Sequence, residues 1–253
     1  MNFKSILNAT GLLALCLLFN TGIALAKPKP RILVFSKTRG FHHSSIAIGN
    51  VAIMKLGAEN KFDVDTTTDA SKFTLDNLKQ YSAIVFLSTT GLASQLFTED
   101  QKTALMKYME QGGGYMGIHA ATDCCYDWPW YGKMSGAYFK GHPAQQEAVV
   151  DVVDPNTIAT SFLPKEWKRK DEWYSFKDMA TDLHVILKID ESTYKHTGLD
   201  MGDHPMAWYH DYDGGRAFYT ELGHVDESYS DPLYLHHILG GIQYAMGVKK
   251  INK

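Results

Sequence analysis

Short apolar strands alternate with helical stretches through the first half of the sequence. The run 82–88 (SAIVFLS) is apolar between its terminal serines, which is typical of a parallel strand buried on both faces. This order predicts an α/β fold with a doubly wound, mostly parallel sheet of the flavodoxin type, whose ligands bind at the carboxyl ends of the strands. Strands are predicted at 31–36, 62–68, 82–88 and 115–120, and helices at 44–56, 74–80 and 98–111.

The second half is rich in aromatic residues and histidine. All five Trp, ten of the fourteen Tyr and eight of the eleven His lie at or after position 128. A hairpin is predicted at Asp213-Gly214-Gly215, because such a turn suits two antiparallel strands. We expect this aromatic half to fold over the carboxyl edge of the sheet. Further strands are predicted at 147–153, 184–188, 207–212 and 217–220, and a last helix at 231–246.

The first 26 residues have the pattern of a secretory signal peptide. Lys4 precedes a mostly apolar stretch at 12–25, and Ala24-Leu25-Ala26 is an A-x-A cleavage signal. The sequence therefore predicts cleavage after Ala26, a periplasmic or secreted protein, and one domain at 27–253. An uncleaved anchor is the alternative, although the apolar stretch is short and interrupted for a membrane span.

Charge and cysteine content exclude some classes of protein. Lys+Arg 25 against Asp+Glu 28 leaves no basic excess for general binding to nucleic acid. Apart from Cys16 in the signal peptide, the only cysteines are the adjacent Cys124 and Cys125. Neighbouring residues rarely form a relaxed disulfide, so we expect no disulfide framework.

The loops after the first and fourth strands carry the first candidate residues. Phe41 and His43 lie in the first loop, where we expect His43 to act in catalysis and Phe41 to contact substrate. The segment 117–121 (GIHAA) has the small–x–X–x–small pattern of a strand-to-helix elbow, with His119 where hydrolases carry Ser or amidotransferases carry Cys. His119 is therefore a candidate general base or metal ligand, and Asp123 is close enough in sequence to orient it.

Two later segments supply the other candidates. Glu172, in the run 171–174 (DEWY), is a candidate acid or base, because neighbouring apolar rings raise the pKa of a carboxyl group. His224 is a further proton carrier, and Arg216 is a candidate oxyanion stabiliser. The remaining candidate substrate contacts are Trp173, Trp208 and His204, with the two tryptophans expected to stack on a sugar.

A divalent metal ion is an open alternative to acid–base chemistry without a cofactor. Two or three of His43, His119, His224 and Glu172 would hold the ion. None of these residues has a local ligand spacing such as H-x-x-x-H, so the sequence neither supports nor excludes the metal.

Six long runs carry a resemblance to a known family: FSKTRGFHHSS, GGGYMGIHAATD, YDWPWYGKMSGAYFKGHP, DEWYSF, HPMAWYHDYDGGRAFYTELGH and ESYSDP. They resemble the ThuA-like family, named for trehalose utilisation. The resemblance extends over residues 31–247 and implies a fold like that of class I glutamine amidotransferases, with His in place of the Cys nucleophile. It also implies a role in carbohydrate metabolism, including disaccharides with a sugar oxidised to the keto form. The sequence departs from the family at His42, where members often carry Arg, and at the two cysteines.

The resemblance assigns family positions to His43, His119, Asp123, Glu172, His204 and His224. We therefore expect an exported carbohydrate-active enzyme that acts on a glycoside or keto-sugar by His/Glu acid–base chemistry, as a hydrolase, lyase or isomerase. The alternative is a non-catalytic module that binds a sugar or a partner on an amidotransferase-like scaffold, since a fold alone does not guarantee activity. A thiol enzyme that uses Cys124 or Cys125 is a third hypothesis.

Overall fold

A computed structural model describes residues 29–252. The predicted signal peptide and its cleavage site after Ala26 lie outside the described residues. Within 29–252, no helix is both long enough and apolar enough to cross a membrane.

The fold is built on a nine-stranded sheet with the strand order β2-β1-β3-β4-β11-β10-β9-β6-β7, beside a two-stranded sheet of β5 and β8. The first five strands of this order are mutually parallel and follow the flavodoxin pattern. The doubly wound α/β prediction is therefore confirmed. The strands are β1 (Arg31–Phe35), β2 (Asp63–Thr67), β3 (Ala83–Leu87), β4 (Gly114–Ile118), β5 (Tyr138–Gly141), β6 (Gln146–Val152), β7 (Glu166–Asp171), β8 (Ser175–Lys177), β9 (His184–Ile189), β10 (Pro205–Tyr212) and β11 (Gly215–Thr220).

Helices cover both faces of the parallel strands. Residues of α1 and α6 pack on one face and those of α4 pack on the other. Two of the three long helices have a local start signal: Thr98 and Gln101 form a capping box at α4, and Asp231 caps α6 ahead of Pro232. The helices are α1 (Ser45–Asn60), α2 (Leu75–Leu78), α3 (Ala93–Leu96), α4 (Glu99–Glu110), α5 (Pro129–Ser135) and α6 (Pro232–Ala245), with 3₁₀ turns at Ala70–Lys72, His119–Thr122, Glu191–Thr193 and Asp226–Ser230.

The aromatic half mainly extends the sheet, and the expectation that it folds over the carboxyl edge is wrong for most of its length. The predicted hairpin is present, with Asp213 and Gly214 both at positive φ. Its strand β11 pairs in parallel with β4, and β10, β9, β6 and β7 then continue the sheet in antiparallel order. β7 has no strand-like apolar pattern in the sequence, because it reads EWKRKD and buries only Trp167 and Asp171, and it was not predicted.

Candidate functional site

His119 occupies the elbow that the sequence predicts at the end of β4. Its backbone φ is 50°, a left-handed conformation that costs energy for a residue with a side chain, and the side chain is fully buried. A Cβ on Gly117 would come within 2.7 Å of the Tyr115 hydroxyl and 3.1 Å of the Ala121 Cβ. The small residues of the elbow pattern are therefore needed because the chain passes this close to its neighbours.

Hydrogen bonding fixes the orientation of the His119 ring. Nδ1 lies 2.8 Å from the Glu221 carbonyl oxygen, and a carbonyl only accepts, so Nδ1 carries the hydrogen and donates it. In the neutral ring, the Nε2 lone pair is then free. Nε2 lies 3.1 Å from Nδ1 of His224 and 3.5 Å from Oε2 of Glu172. The elbow thus directs the basic Nε2 atom of His119 toward His224 and Glu172.

His43, His119, Glu172 and His224 converge on one point and are called the histidine–glutamate cluster here. One donor atom from each lies within 4.8 Å of the donor atoms of the other three. The four residues come from the loops after β1, β4, β7 and β11. His43, His119 and His224 thus meet where the doubly wound fold predicts, at the carboxyl ends of its parallel strands, and Glu172 joins them from the antiparallel part of the sheet.

A buried aspartate ties two of these loops together. The Asp171 carboxylate accepts the backbone N–H groups of Gly223, at 3.1 Å, and of His224, at 3.0 Å. The same carboxylate accepts the backbone N–H of Glu172 and pairs with the Arg169 guanidinium at 3.2 Å. Asp171 therefore sets the positions of Glu172 and His224 relative to each other.

Glu172 and His224 form a close acid–base pair. Oε2 of Glu172 lies 3.2 Å from Nδ1 of His224, and its Oε1 lies 3.2 Å from Nδ1 of His142. Burial alone would raise the pKa of Glu172, but the neighbouring imidazoles of His119 and His224 outweigh burial and hold the pKa well below its usual range. Burial alone would lower the pKa of His224, but the hydrogen bond with Glu172 and the nearby carboxylates raise it overall.

His43 lies at the start of α1 and is only 3% exposed. Its ring meets the rings of His119 and His224 edge to face, with centroid distances of 4.9 and 5.2 Å. Its Nδ1 atom is buried and has no hydrogen-bond partner. Burial, followed by the proximity of His119 and His224, lowers the pKa of His43 to about 3, so the ring is neutral at neutral pH.

A cavity of about 290 Å³ opens onto the cluster. Asp123 lies in its wall, where Oδ1 accepts the Tyr126 hydroxyl at 2.7 Å and burial raises the pKa of the carboxyl group. Phe41, which is 64% exposed, also lines this cavity. The cavity is lined by Phe41, His43, Asp123, Phe139, His142, Gln145, Glu172, Tyr174 and His224.

Trp173 and Trp208 do not line this cavity, which corrects the prediction that they stack on a sugar. Both rings are fully buried in the core. The Trp173 indole N–H donates to the Gln146 carbonyl at 2.9 Å, and that of Trp208 donates to the Ser135 carbonyl at 2.9 Å. The aromatic walls are instead formed by Phe41, which was a candidate from the sequence, and by Phe139 and Tyr174, which were not.

Arg216 and His204 also lie away from the cavity. Arg216 pairs in register with Gly114 at the start of β4, the opposite end of the strand from His119, and donates to the Gly112 carbonyl at 2.9 Å. It is therefore too far along the strand to serve as the predicted oxyanion stabiliser. His204 is buried behind the site, where its Nε2 lies 2.8 Å from the Tyr174 carbonyl, so it supports a wall residue.

His142 and Gln145 are site residues that the sequence analysis missed. His142 contacts Glu172, and the side-chain amide of Gln145 lies 2.7 Å from Nε2 of His224. The one signal for His142 was the Gly-His-Pro step that ends a long family-like run. Cys124 and Cys125 are free and buried, and Cys124 contacts the Ala121 carbonyl.

The fold and the site define an amidotransferase-like α/β protein with a histidine where the nucleophile would stand. The chain belongs to the ThuA family: the family model, described as trehalose utilisation, matches residues 31–245. The family prediction from the sequence is therefore confirmed. No protein of curated function matches the chain.

Solved structures agree with this assignment. A protein from Bacteroides uniformis described as ThuA-like is 25% identical, with a TM-score of 0.72 over 87% of this chain and 93% of that one. A second, from Parabacteroides merdae, is 20% identical, with a TM-score of 0.71 over 90% and 93%. A β-galactosidase from Bacillus circulans is 11% identical, with a TM-score of 0.56 over 87% of this chain and 31% of that one, which shows a shared fold alone.

Proposed function

We propose that this protein is a carbohydrate-active enzyme that removes a proton next to the keto group of an oxidised sugar, and so cleaves a keto-glycoside as a lyase. The observation that carries the proposal is the convergence of three imidazoles and one carboxylate at a cavity with aromatic walls. Proton abstraction next to a carbonyl needs a base and a group that stabilises the enolate oxygen, and this cluster contains both kinds of group.

The cavity supports a substrate the size of one sugar ring. Its volume of about 290 Å³ is at the small end of ligand pockets, which begin at roughly 300 Å³. The apolar faces of Phe41, Phe139 and Tyr174 suit the C–H faces of a pyranose, while Asp123 and Gln145 offer hydrogen bonds to hydroxyl groups. The reacting ring would lie in the cavity, with the rest of the glycoside outside it.

The roles in catalysis follow from the contacts. His119, with its Nε2 lone pair directed into the cluster, and His43, with a buried unpartnered nitrogen, are the candidate bases. The base takes the proton from the carbon between the keto group and the anomeric carbon. The released electron pair forms a double bond to the anomeric carbon, and the glycosidic C–O bond breaks. His224 beside Glu172 gives a proton to the departing oxygen, so that atoms and charge balance.

Isotope exchange tests the proposal directly. The protein is incubated in D₂O with methyl and disaccharide 3-keto-glycosides, and the products are followed by NMR and mass spectrometry. We expect loss of the proton next to the keto group together with an unsaturated keto-sugar, a rate roughly 10²–10⁴-fold lower in His119→Gln, and no change in His42→Gln. His42 is a matched control because it is exposed and lies outside the cluster.

Other products would change the assignment. A saturated keto-sugar and a free alcohol from the first time points would indicate a hydrolase. Exchange without cleavage would indicate an isomerase. Binding of the keto-glycoside with neither exchange nor product would contradict the proposal and support a sugar-binding module.

We also propose that the protein acts outside the cytoplasm after cleavage behind Ala26. The support is the charged start at Lys4, the apolar stretch 12–25 and the A-x-A signal. The measurement is the N-terminus of the protein recovered from the periplasm or medium. Lys27 is the expected first residue, and an intact N-terminus confined to the cytoplasm would contradict the proposal.

A further inference from the structure

We infer that the histidine–glutamate cluster is a binding site for one divalent transition-metal ion. The cluster offers three imidazole nitrogens and one carboxylate oxygen, which is a donor set that such ions take in proteins. The cluster is largely buried, and it is reached from the cavity of about 290 Å³. The inference concerns the site of the proposed function and rests on that function only for what the ion would do there.

The distances among three of the donors fit one ion between them. Metal–ligand distances of about 2.0–2.1 Å with tetrahedral angles set neighbouring donors about 3.3 Å apart. Nε2 of His119, Nδ1 of His224 and Oε2 of Glu172 are separated by 3.1, 3.2 and 3.5 Å. These three atoms therefore form a ligand triangle of the required size without moving the backbone.

The groups behind the donors have the arrangement seen around metal ligands. A ligating histidine usually donates its second N–H to a carbonyl or carboxylate, which fixes the ring and its tautomer. His119 does so through Nδ1 to the Glu221 carbonyl. In the structure the Gln145 side-chain nitrogen faces Nε2 of His224 at 2.7 Å; the flipped amide, which has the same shape, would accept a hydrogen bond from that Nε2 and leave the Nδ1 lone pair directed at the cluster.

A buried nitrogen of His43 supports the metal site independently of the distances among the other donors. A buried polar atom without a partner is rare, because it has lost its hydrogen bond to water and gained nothing in return. Nδ1 of His43 is such an atom, on a ring that packs against both His119 and His224. One ring nitrogen of His43 lies within 4.8 Å of the other three donor atoms, so His43 would either supply a fourth ligand or stand beside a three-ligand ion.

The ion would take over part of the proposed chemistry. When bound, it supplies positive charge that can polarise the keto oxygen of the sugar. His119, His224 and Glu172 are then ligands, and His43 is the residue of the cluster left to move the proton. The class of reaction is the same as with the metal-free cluster, since both arrangements stabilise the enolate oxygen and hold a base nearby.

Metal binding is measured without substrate. The mature protein, purified without a histidine tag, is treated with a chelator and titrated with Zn²⁺, Mn²⁺ and Co²⁺ by calorimetry, and bound metal is counted after dialysis. We expect one ion per chain, and visible absorption of the Co²⁺ form typical of nitrogen and oxygen ligands. His224→Ala and Glu172→Gln should each weaken binding at least ~10-fold, while His184→Ala, at an exposed histidine outside the cluster, should not.

Each outcome decides the inference separately from the function. Stoichiometry near zero for the wild-type chain, which needs no variant to fold, overturns the metal site. Equal affinity in the wild type and the His224→Ala variant does the same, because the ion then sits elsewhere. Binding of one ion without turnover of any keto-glycoside would sustain the metal site and overturn the proposed function. Turnover of a keto-glycoside by a chain that binds no metal would sustain the proposed function and overturn the metal site.

Discussion

The Asp171 carboxylate accepts the backbone N–H of His224 at 3.0 Å, and this contact joins two of the loops that form the histidine–glutamate cluster. Asp171 is fully buried and itself touches neither the cavity nor the cluster's donor atoms. The Asp171 carboxylate thus positions Glu172 and His224 without itself contacting the reacting groups. The guanidinium of Arg169 balances that charge at 3.2 Å.

We expect Asp171→Asn to lower both activity and stability. The amide group keeps the shape but removes the charge that pairs with Arg169 and one of the acceptors for Gly223 and His224. Loss of a partner from a buried ion pair costs about 3 kcal/mol of unfolding free energy, and displacement of supporting groups lowers activity roughly 10–100-fold. Urea denaturation and kcat for the keto-glycoside measure the two effects.

A conservative change at a nearby exposed acid is the control. Asp226→Asn lies on the same loop as His224 but on the surface, so its unfolding free energy should stay within about 0.5 kcal/mol of the wild type. If Asp171→Asn keeps full kcat despite reduced stability, Asp171 supports the fold but does not position the cluster.

The same substitution should lower kcat/KM at one of two adjacent histidines and leave it unchanged at the other. His43 belongs to the cluster, whereas the neighbouring His42 is exposed and contacts the Thr38 hydroxyl at 3.2 Å. We expect His43→Gln to lower kcat/KM by roughly 10²-fold or more, because it removes an imidazole from the reacting groups, and His42→Gln to leave it unchanged. Comparable kcat/KM for the two variants would place the catalytic groups elsewhere.

The aromatic residues of the cavity and of the core should separate in a binding assay. Phe139→Leu removes a ring face from the cavity wall, so KM should rise about 2–10-fold, as expected for a lost ring contact. Trp208→Phe should leave KM unchanged and cost about 1–3 kcal/mol of unfolding free energy, because the buried Ser135 carbonyl loses its donor. The measurements are KM and thermal unfolding of both variants. A KM that rises for Trp208→Phe but not for Phe139→Leu would indicate that Trp208 contacts the substrate.

The elbow could be predicted from sequence because its cause is local. Gly117 and Ala121 must be small where the chain turns sharply, and the residue between them is then directed out of the turn. The same logic places His43, since the loop after the first strand of a doubly wound sheet meets the loop after the fourth. The elbow thus follows from a local pattern, and the position of His43 follows from the order of the strands.

The contacts of Glu172 and the tryptophans could not be predicted in the same way. Glu172 reaches the cluster through the bonds of Asp171 to residues more than 50 positions later, which no local pattern encodes. Alternation along β10 gives the face on which Trp208 lies but not the layer that covers that face. Arg216 was misplaced because the hairpin was expected over the carboxyl edge, whereas β11 begins at the amino edge beside Gly114.

The last prediction concerns acid stability and a histidine outside the site. His237 is fully buried in α6, with Nδ1 donating to the Ala159 carbonyl at 2.9 Å and Nε2 facing the Thr220 hydroxyl at 3.0 Å. Burial lowers its pKa from 6.5 to about 4, the Ala159 hydrogen bond opposes this, and the positive charges of Arg169 and His236 add to it. The folded protein therefore holds this ring neutral at a pH where the unfolded chain binds a proton.

The pKa of His237 is lower in the folded state than in the unfolded state. The contribution of this neutral ring to the unfolding free energy is therefore present in full above pH 6.5 and is lost as the pH falls toward 4. The difference of roughly 2.5 pKa units corresponds to about 3 kcal/mol of unfolding free energy. We expect His237→Gln to be less stable than the wild type at pH 7 but to lose about 3 kcal/mol less between pH 7 and pH 4. Urea denaturation across that range measures how the unfolding free energy changes with pH.

Ile238→Val, at the next core residue of α6, controls for packing. This substitution removes a methylene without a titrating group, so it should shift the curve by the same amount at every pH. Parallel curves for wild type and His237→Gln would show that protonation of another group drives the acid transition.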